Sequence, residues 1–171
     1  TNALLGEDCL STASCMRALG AEVAVEGNCI RVKGTRRFRS ADLYCGNSGT
    51  TMRLLMGLVS GRGVNARLTG DDSLSRRPME RVAAPLRILG ADIRTQNGCA
   101  PVEIVAARLC GARVDTKVAS AQVKSAVILA ALGATGETLV HEDIKTRDHT
   151  ERMLAAMGAD IRVAGTDVFV G

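Results

Sequence analysis

Tryptophan is absent from this chain, and Phe38, Tyr44 and Phe169 are its only aromatic residues. That scarcity argues against a nucleic-acid surface, where stacking side chains usually accompany a strong basic charge. The basic charge is also slight. Lys and Arg number 22 against 18 Asp and Glu, a net charge of +4, and the arginines are dispersed. A small anionic ligand suits this balance better. Histidine is limited to His141 and His149, and Cys9, Cys15, Cys29, Cys45, Cys99 and Cys110 form no CxxC pair. Metal sites usually show tightly paired ligands, so no metal is expected. The cysteines read as free, mostly buried thiols of a reducing cytoplasm. No apolar run approaches the roughly 20 residues of a membrane span. The longest, Ala126 to Leu132, is core-sized. The N-terminus shows no signal-peptide pattern. The expectation is a cytoplasmic protein with no membrane partner.

What the chain does have is an internal repeat. Leu19-Gly20-Ala21-Glu22-Val23 returns as Leu89-Gly90-Ala91-Asp92-Ile93 and as Met157-Gly158-Ala159-Asp160-Ile161, a period of about 70 residues. Each phrase follows an amphipathic stretch with helical spacing; Met153, Leu154 and Met157 line one stripe in the last. The glycine predicts a left-handed helix end. Two short β-like runs around a turn follow each time: Glu22 to Val25 with Cys29 to Val32, Asp92 to Thr95 with Val102 to Val105, and Asp160 to Val163 with Asp167 to Val170. Their turns hold Glu26-Gly27-Asn28, Asn97-Gly98 and Gly165, residues that favour hairpins.

The second and third copies also agree upstream. Ser75-Arg76-Arg77-Pro78-Met79-Glu80-Arg81-Val82 parallels Thr146-Arg147-Asp148-His149-Thr150-Glu151-Arg152-Met153. Both are expected to start a helix, with Pro78 in a first turn. Before each lies another helix, about Thr50 to Ser60 and about Ala121 to Leu132, followed by a strand, Val64 to Thr69 and Thr138 to His141. The unit is strand, helix, strand, helix, hairpin. The first copy begins near its second helix, around Asp8, so it is expected to be a truncated unit. No domain boundary is expected inside residues 1–171, which read as a single domain.

Four loops could carry chemistry. Cys45-Gly46-Asn47-Ser48-Gly49-Thr50-Thr51-Met52-Arg53 opens a helix. Its glycines permit a close backbone approach, and free N–H groups at a helix start favour an anion. It is not a P-loop, for no Gly-Lys-Ser/Thr follows at the required spacing. The plainer alternative is a turn capped by Asn47 or Ser48. Ser75-Arg76-Arg77-Pro78 sets two arginines at a helix start, against the dipole preference. Either an anion neutralises them, or they pair with Asp71 and Asp72 or stay solvated. In Ser120-Ala121-Gln122-Val123-Lys124-Ser125, Ser120 is an N-cap, or Ser120 and Gln122 bond a phosphate or hydroxyl. In Thr146-Arg147-Asp148-His149, Arg147 is the better ligand residue, since a guanidinium forks onto phosphate or carboxylate. His149 reads as a solvated or capping residue. Glu80 and Glu151 recur in step and read as structural rather than as an acid pair. All four loops precede helices, so packing about a pseudo-symmetry axis would gather them at one electropositive mouth.

At these residues the chain resembles the 5-enolpyruvylshikimate-3-phosphate synthase family, across essentially its whole length. The resemblance rests on Gly46-Asn47-Ser48-Gly49-Thr50-Thr51-Met52-Arg53, on Leu68 to Met79, on Ser120 to Ala126, and on Thr146 to Glu151. The Ser-Ala-Gln-Val-Lys-Ser and Thr-Arg-Asp-His versions are similar to a bacterial branch. The resemblance implies an α+β fold of repeated βαβαββ units around a pseudo-threefold axis, with helices inside, sheets outside and the first unit here truncated. It implies transfer of the enolpyruvyl group of phosphoenolpyruvate to the 5-hydroxyl of shikimate 3-phosphate, without metal or organic cofactor, in a cleft between two domains.

By position, the resemblance makes Ser120, Ala121 (through its backbone), Gln122, Thr146 and Arg147 shikimate 3-phosphate contacts. Gly49, Arg77 and Gln122 become phosphoenolpyruvate contacts, and Asn47, Thr50 and Arg53 shape the loop. The family's Gly-Ser-Lys-Ser stretch has no match in this sequence. Nor has the second domain, with its proton-transfer groups. No catalytic residue is therefore expected in the chain, which should not turn over alone. The parent enzyme is expected to be a monomer. The alternatives are the sister enolpyruvyl transferase acting on UDP-N-acetylglucosamine, and a non-catalytic phosphate- or RNA-binding α/β domain. Gly49 leaves room for glyphosate, which in this family occupies the phosphoenolpyruvate space, so the parent enzyme is expected to be glyphosate-sensitive. Equal inhibition of that enzyme and its Gly49→Ala variant would count against this.

Overall fold

The structure, a computed structural model, describes residues 2–171. Two units of identical order fill most of it. The first runs β3 (Ala41–Tyr44), α2 (Gly49–Arg62), β4 (Ala66–Thr69), α3 (Glu80–Ile88), β5 (Asp92–Gln96) and β6 (Cys99–Val105). The second runs β7 (Arg113–Thr116), α4 (Ala121–Ala131), β8 (Thr138–Glu142), α5 (His149–Ala156), β9 (Ile161–Ala164) and β10 (Asp167–Val170). The sheets match in order, β3-β4-β6-β5 and β7-β8-β10-β9. In each, the leading pair is parallel and the other pairings are antiparallel. Before them stand α1 (Glu7–Ala18) and the hairpin of β1 (Glu22–Glu26) with β2 (Cys29–Lys33). The α+β repeat expected from the sequence is present.

The repeated Leu-Gly-Ala or Met-Gly-Ala phrase has one structural meaning. Gly20, Gly90 and Gly158 have φ of 109°, 96° and 89°, where a side chain would be strained. Each phrase ends its helix with the same two bonds. Gly20 and Ala21 donate to the carbonyls of Arg17 and Met16, Gly90 and Ala91 to those of Arg87 and Leu86, and Gly158 and Ala159 to those of Ala155 and Leu154. This Schellman closure satisfies helix-end carbonyls and turns the chain into the hairpin. Asn97 also adopts a positive φ, in the turn between β5 and β6.

Two expectations need correction. Pro78 is not in the first turn of α3. Leu74–Arg76 form a short 3-10 turn, Arg77 is extended at ψ 140°, and the helix starts at Glu80. The cause is local, because a proline pushes the residue before it out of the helical region. The first free N–H groups of α3, from Met79 and Glu80, bond the Gly98 carbonyl in the turn between β5 and β6. Nor are the cysteines mostly buried: Cys15 and Cys45 are, Cys9, Cys29 and Cys99 are half-buried, and Cys110 is exposed.

The core forms where helices back onto sheets. Leu43, Leu68, Val102 and Ile104 project from one sheet and Val114, Val140, Val168 and Val170 from the other. Between them lie Met52, Leu55, Met56 and Val59 of α2 and Val123, Val127 and Ile128 of α4. These two central helices meet backbone to backbone. A Cβ on Gly57 would lie 2.0 Å from the Ala126 carbonyl oxygen, and one on Gly61 2.7 Å from that of Ala130. A Cβ on Gly133, just beyond α4, would lie 1.8 Å from the Gly61 oxygen. Contacts advance together along both chains, so the helices run parallel and start at the same end.

The close crossing predicts a steep penalty at one position. Gly57→Ala should destabilise the chain by about 3 kcal/mol, the upper range for overpacking a core. Gly27→Ala has open space and only a positive φ of 55° to oppose it, and should lose about 1 kcal/mol. Urea unfolding of the two variants checks this; equal losses would mean that the helices can separate cheaply.

Candidate functional site

The parallel starts of α2 and α4 define the site. Ser48 caps α2, its hydroxyl accepting from the Thr51 N–H at 3.1 Å, so the plainer reading of that loop holds for Ser48. At the start of α4, Ser120 occupies the cap position but bonds no helix N–H with its side chain. That hydroxyl stays available. Gln122 joins the two starts. Its amide donates to the Thr50 hydroxyl at 2.8 Å, and its carbonyl accepts from Arg53 Nη1 at 2.7 Å. Arg53 is 6% exposed, and its Nε has no partner among the described residues.

The second loop meets the first through Arg77. Its guanidinium donates to the Asn47 side-chain oxygen and to Ser73 Oγ at 3.3 Å. Asn47 in turn donates to Asp71 Oδ2 at 2.7 Å, and Asp71 Oδ1 accepts the Leu74 N–H at 2.7 Å. The expected alternative of ion pairs from Arg76 and Arg77 to Asp71 and Asp72 is not what forms. Arg76 bonds the Asp72 backbone carbonyl at 2.9 Å instead. Gly49 is buried at the meeting point. A Cβ there would lie 3.0 Å from Arg53 Nη1 and 3.3 Å from Arg77 Nη1. Burial first, then repulsion from Arg81 and Arg77, pulls the Arg53 guanidinium below its ordinary value. None of Arg53, Arg77, Arg81 and Arg147 is in an ion pair among the described residues. Neutral side chains hold Arg53 and Arg77 here, with the Asp71 carboxylate joined to Arg77 through Asn47.

The third and fourth loops face one another. A cleft of about 280 Å³ lies between Thr50, Leu54 and Gln122 on one side and Arg147, His149 and Thr150 on the other. A second, of about 430 Å³, is walled by Ser120, Gln122, Lys145, Thr146 and Arg147. The sequence-predicted residues thus divide into two groups. Asn47, Gly49, Thr50, Arg53 and Arg77 gather around the start of α2. Ser120, Ala121, Gln122, Thr146 and Arg147 gather around the start of α4, with Gln122 common to both. His149 is exposed at the start of α5, in line with its reading as solvated, and it also lines the cleft. Lys145 and Leu54 line the clefts without having been singled out.

The feature that sequence reasoning missed outright is buried. Lys124 is 1% exposed at its side chain and lies 2.8 Å from Glu142 Oε2 and 2.6 Å from Glu151 Oε1. Burial pulls the ammonium down, but its bonds to Glu142 and Glu151 more than offset this and hold it above its ordinary value. Glu142 also accepts the Thr146 hydroxyl. The only sequence signal was a charged residue inside an apolar helix. Glu80, expected to be structural like Glu151, pairs with Arg87 and bonds Thr95 at 3.0 Å.

The loop geometry makes a pH-dependent prediction. Chiefly the Leu74 N–H, then the Asn47 amide, hold the Asp71 carboxyl below its ordinary 3.8. A depressed pKa stabilises the folded chain above pH 3.8, and the effect is lost as pH falls through the lower folded value. Asp71→Ala should therefore unfold at lower urea than wild type at pH 6, and the two midpoints should converge as pH drops below 3.8. A gap that persists at the lowest pH would mean the carboxylate is not the stabilising group.

Comparison with known proteins identifies the family of the chain. The family model described as EPSP synthase (3-phosphoshikimate 1-carboxyvinyltransferase) matches residues 1–170. A 3-phosphoshikimate 1-carboxyvinyltransferase of Synechococcus sp. (strain WH7803) is 54% identical over 171 residues, 95% of this chain and 39% of that protein. One of Roseiflexus sp. (strain RS-1) is 49% identical over 95% of this chain and 39% of its own length. An EPSP synthase structure from Acinetobacter baumannii superposes with a TM-score of 0.93 at 44% identity, covering 98% of this chain and 39% of that one. The chain thus spans 39% of the length of the first two relatives. The fold agrees with these matches, and the chain belongs to the EPSP synthase (3-phosphoshikimate 1-carboxyvinyltransferase) family.

Proposed function

We propose that this chain forms the shikimate 3-phosphate wall of an enzyme that transfers the enolpyruvyl group of phosphoenolpyruvate to the 5-hydroxyl of shikimate 3-phosphate. The observation that carries the reading is the convergence of four loops, with Gln122 bonded to both Thr50 and Arg53 and facing Arg147 across a cleft. Two parallel helices open on that mouth, so their N-terminal partial charges add there. With Arg77 and Arg147 they suit a dianionic ligand.

In this reading Ser120, the Ala121 backbone, Thr146 and Arg147 hold the phosphate and hydroxyls of shikimate 3-phosphate. Gln122 reaches both ligands. The Gly49 backbone and Arg77 meet the carboxylate and phosphate of phosphoenolpyruvate. Asn47, Thr50 and Arg53 hold that loop in shape, as the bonds to Arg77 and Gln122 would have them do. These groups bind, orient and offset negative charge, as an oxyanion site does. None is a paired acid and base, so proton transfer falls to a partner domain across the cleft, and the chain by itself should not turn over. The complete enzyme is proposed to be a cytoplasmic monomer that needs no cofactor and binds no nucleic acid. No helix among the described residues is long and apolar enough to cross a membrane.

Titration of the chain with shikimate 3-phosphate, with and without phosphoenolpyruvate and followed by amide NMR shifts, tests this. Shifts should cluster at Ser120, Gln122 and Arg147, and Arg147→Ala should weaken binding at least tenfold. That is about 1.4 kcal/mol, just under the range of roughly 1.5–3 kcal/mol for a hydrogen bond to a charged group. UDP-N-acetylglucosamine should shift nothing. If it competes with shikimate 3-phosphate, the sister transferase is the better reading. A well-dispersed spectrum unmoved by either ligand would reduce the predicted residues to bystanders in this chain.

A further inference from the structure

We infer that Lys124 is a positioning residue for the ligand site, clamping the Thr146–Arg147 loop at a set distance from Ser120 and Gln122. The inference rests on the proposed reading of that site. The two complete units differ at this place. Counting from the capping serines Ser48 and Ser120, Lys124 of α4 corresponds to Met52 of α2, which is 0% exposed. The last residue of β8, Glu142, corresponds to Thr69 at the end of β4. Glu151 corresponds to Glu80, which has no lysine before it and pairs with Arg87. The fold therefore accepts a methionine at this place. The ionic group belongs to one unit alone.

Stability does not explain that addition. A buried ion group is seldom worth more than well-packed apolar side chains of similar volume. What it supplies here is connection. Lys124 lies 2.8 Å from Glu142 Oε2 and 2.6 Å from Glu151 Oε1, and all three side chains are at most 4% exposed. Glu142 accepts the Thr146 hydroxyl and, at 3.4 Å, the Thr146 N–H. Glu151 lies in the first turn of α5, and its other oxygen has no partner among the described residues. Beside Lys124, the Ser125 hydroxyl meets that of Thr150 at 2.6 Å. One turn of α4 thus holds Gln122 towards α2 and, through Lys124 and Ser125, holds both ends of the segment that carries Arg147. Remove the ammonium, and two carboxylates face each other with nothing between them. The segment they anchor then loses its reference to α4.

The test uses two variants of the chain, Lys124→Met and the neutral triple variant Lys124→Met/Glu142→Gln/Glu151→Gln. The triple variant leaves no unpaired buried charge and guards against simple unfolding. Each is titrated with shikimate 3-phosphate by NMR at a temperature where it is fully folded, and the heteronuclear NOE of residues 144–147 is measured without ligand. Affinity should fall at least tenfold and the NOE of 144–147 should drop, while the amides of α2 keep their shifts. A folded triple variant with wild-type affinity and an unchanged NOE would overturn the inference, even if its unfolding midpoint had moved. Ser120→Ala separates the two ideas, since it should lose affinity without altering the NOE. If the wild-type chain binds no shikimate 3-phosphate, the functional reading fails by itself. The ligand-free NOE then decides the clamp: a drop supports it and no change ends it.

Discussion

The backbone contact between α2 and α4 is the constraint from which the site follows. Gly57 and Gly61 let α4 approach until its carbonyls occupy the space of a Cβ. Larger residues would push the helices apart and break the Gln122 bonds to Thr50 and Arg53. Because the helices run parallel, their N-termini end side by side. Parallel dipoles repel, and so do the arginines gathered beside them. Packing of Met52, Met56, Val123 and Val127 holds the arrangement together against that repulsion. An anion at the mouth would relieve it.

The two complete units share a chain path but not a chemistry. In one, Arg77 reaches the site because Pro78 forces it into an extended conformation, and Asn47 fixes its guanidinium. Its repeat-aligned neighbour Arg76, the counterpart of Arg147, turns back to the Asp72 carbonyl. In the other, Arg147 itself lines the cleft. The loops diverged while the frame stayed constant. The frame is held by Schellman closures and sheet order, and neither restricts the residues between β4 and α3 or between β8 and α5.

Much of this was legible in the residues. The Gly of each repeated phrase announced a helix end, and the apolar spacing announced the helices, because both signals are local. The loops of the site were legible as short motifs at helix starts. What misled was also local chemistry read too simply. Pro78 suits a first helical turn in general, but its effect on Arg77 postponed the helix to Glu80. His149 is exposed, as a solvated helix-start residue should be, and what stands opposite it is set by the tertiary structure.

By itself, then, the sequence determined the succession of elements in the repeating unit, the glycine-marked helix C-termini and the identity of the groups available to a ligand. These depend on contacts a few residues apart. Only the tertiary structure decided which groups meet. Lys124 gave no sign in the sequence of its partners, Glu142 and Glu151, 18 residues away in the nearer case. Gln122 and Thr50 are 72 residues apart. Such pairings are set by how closely two helices can pack, and that distance is a property of the folded core rather than of any local stretch of chain.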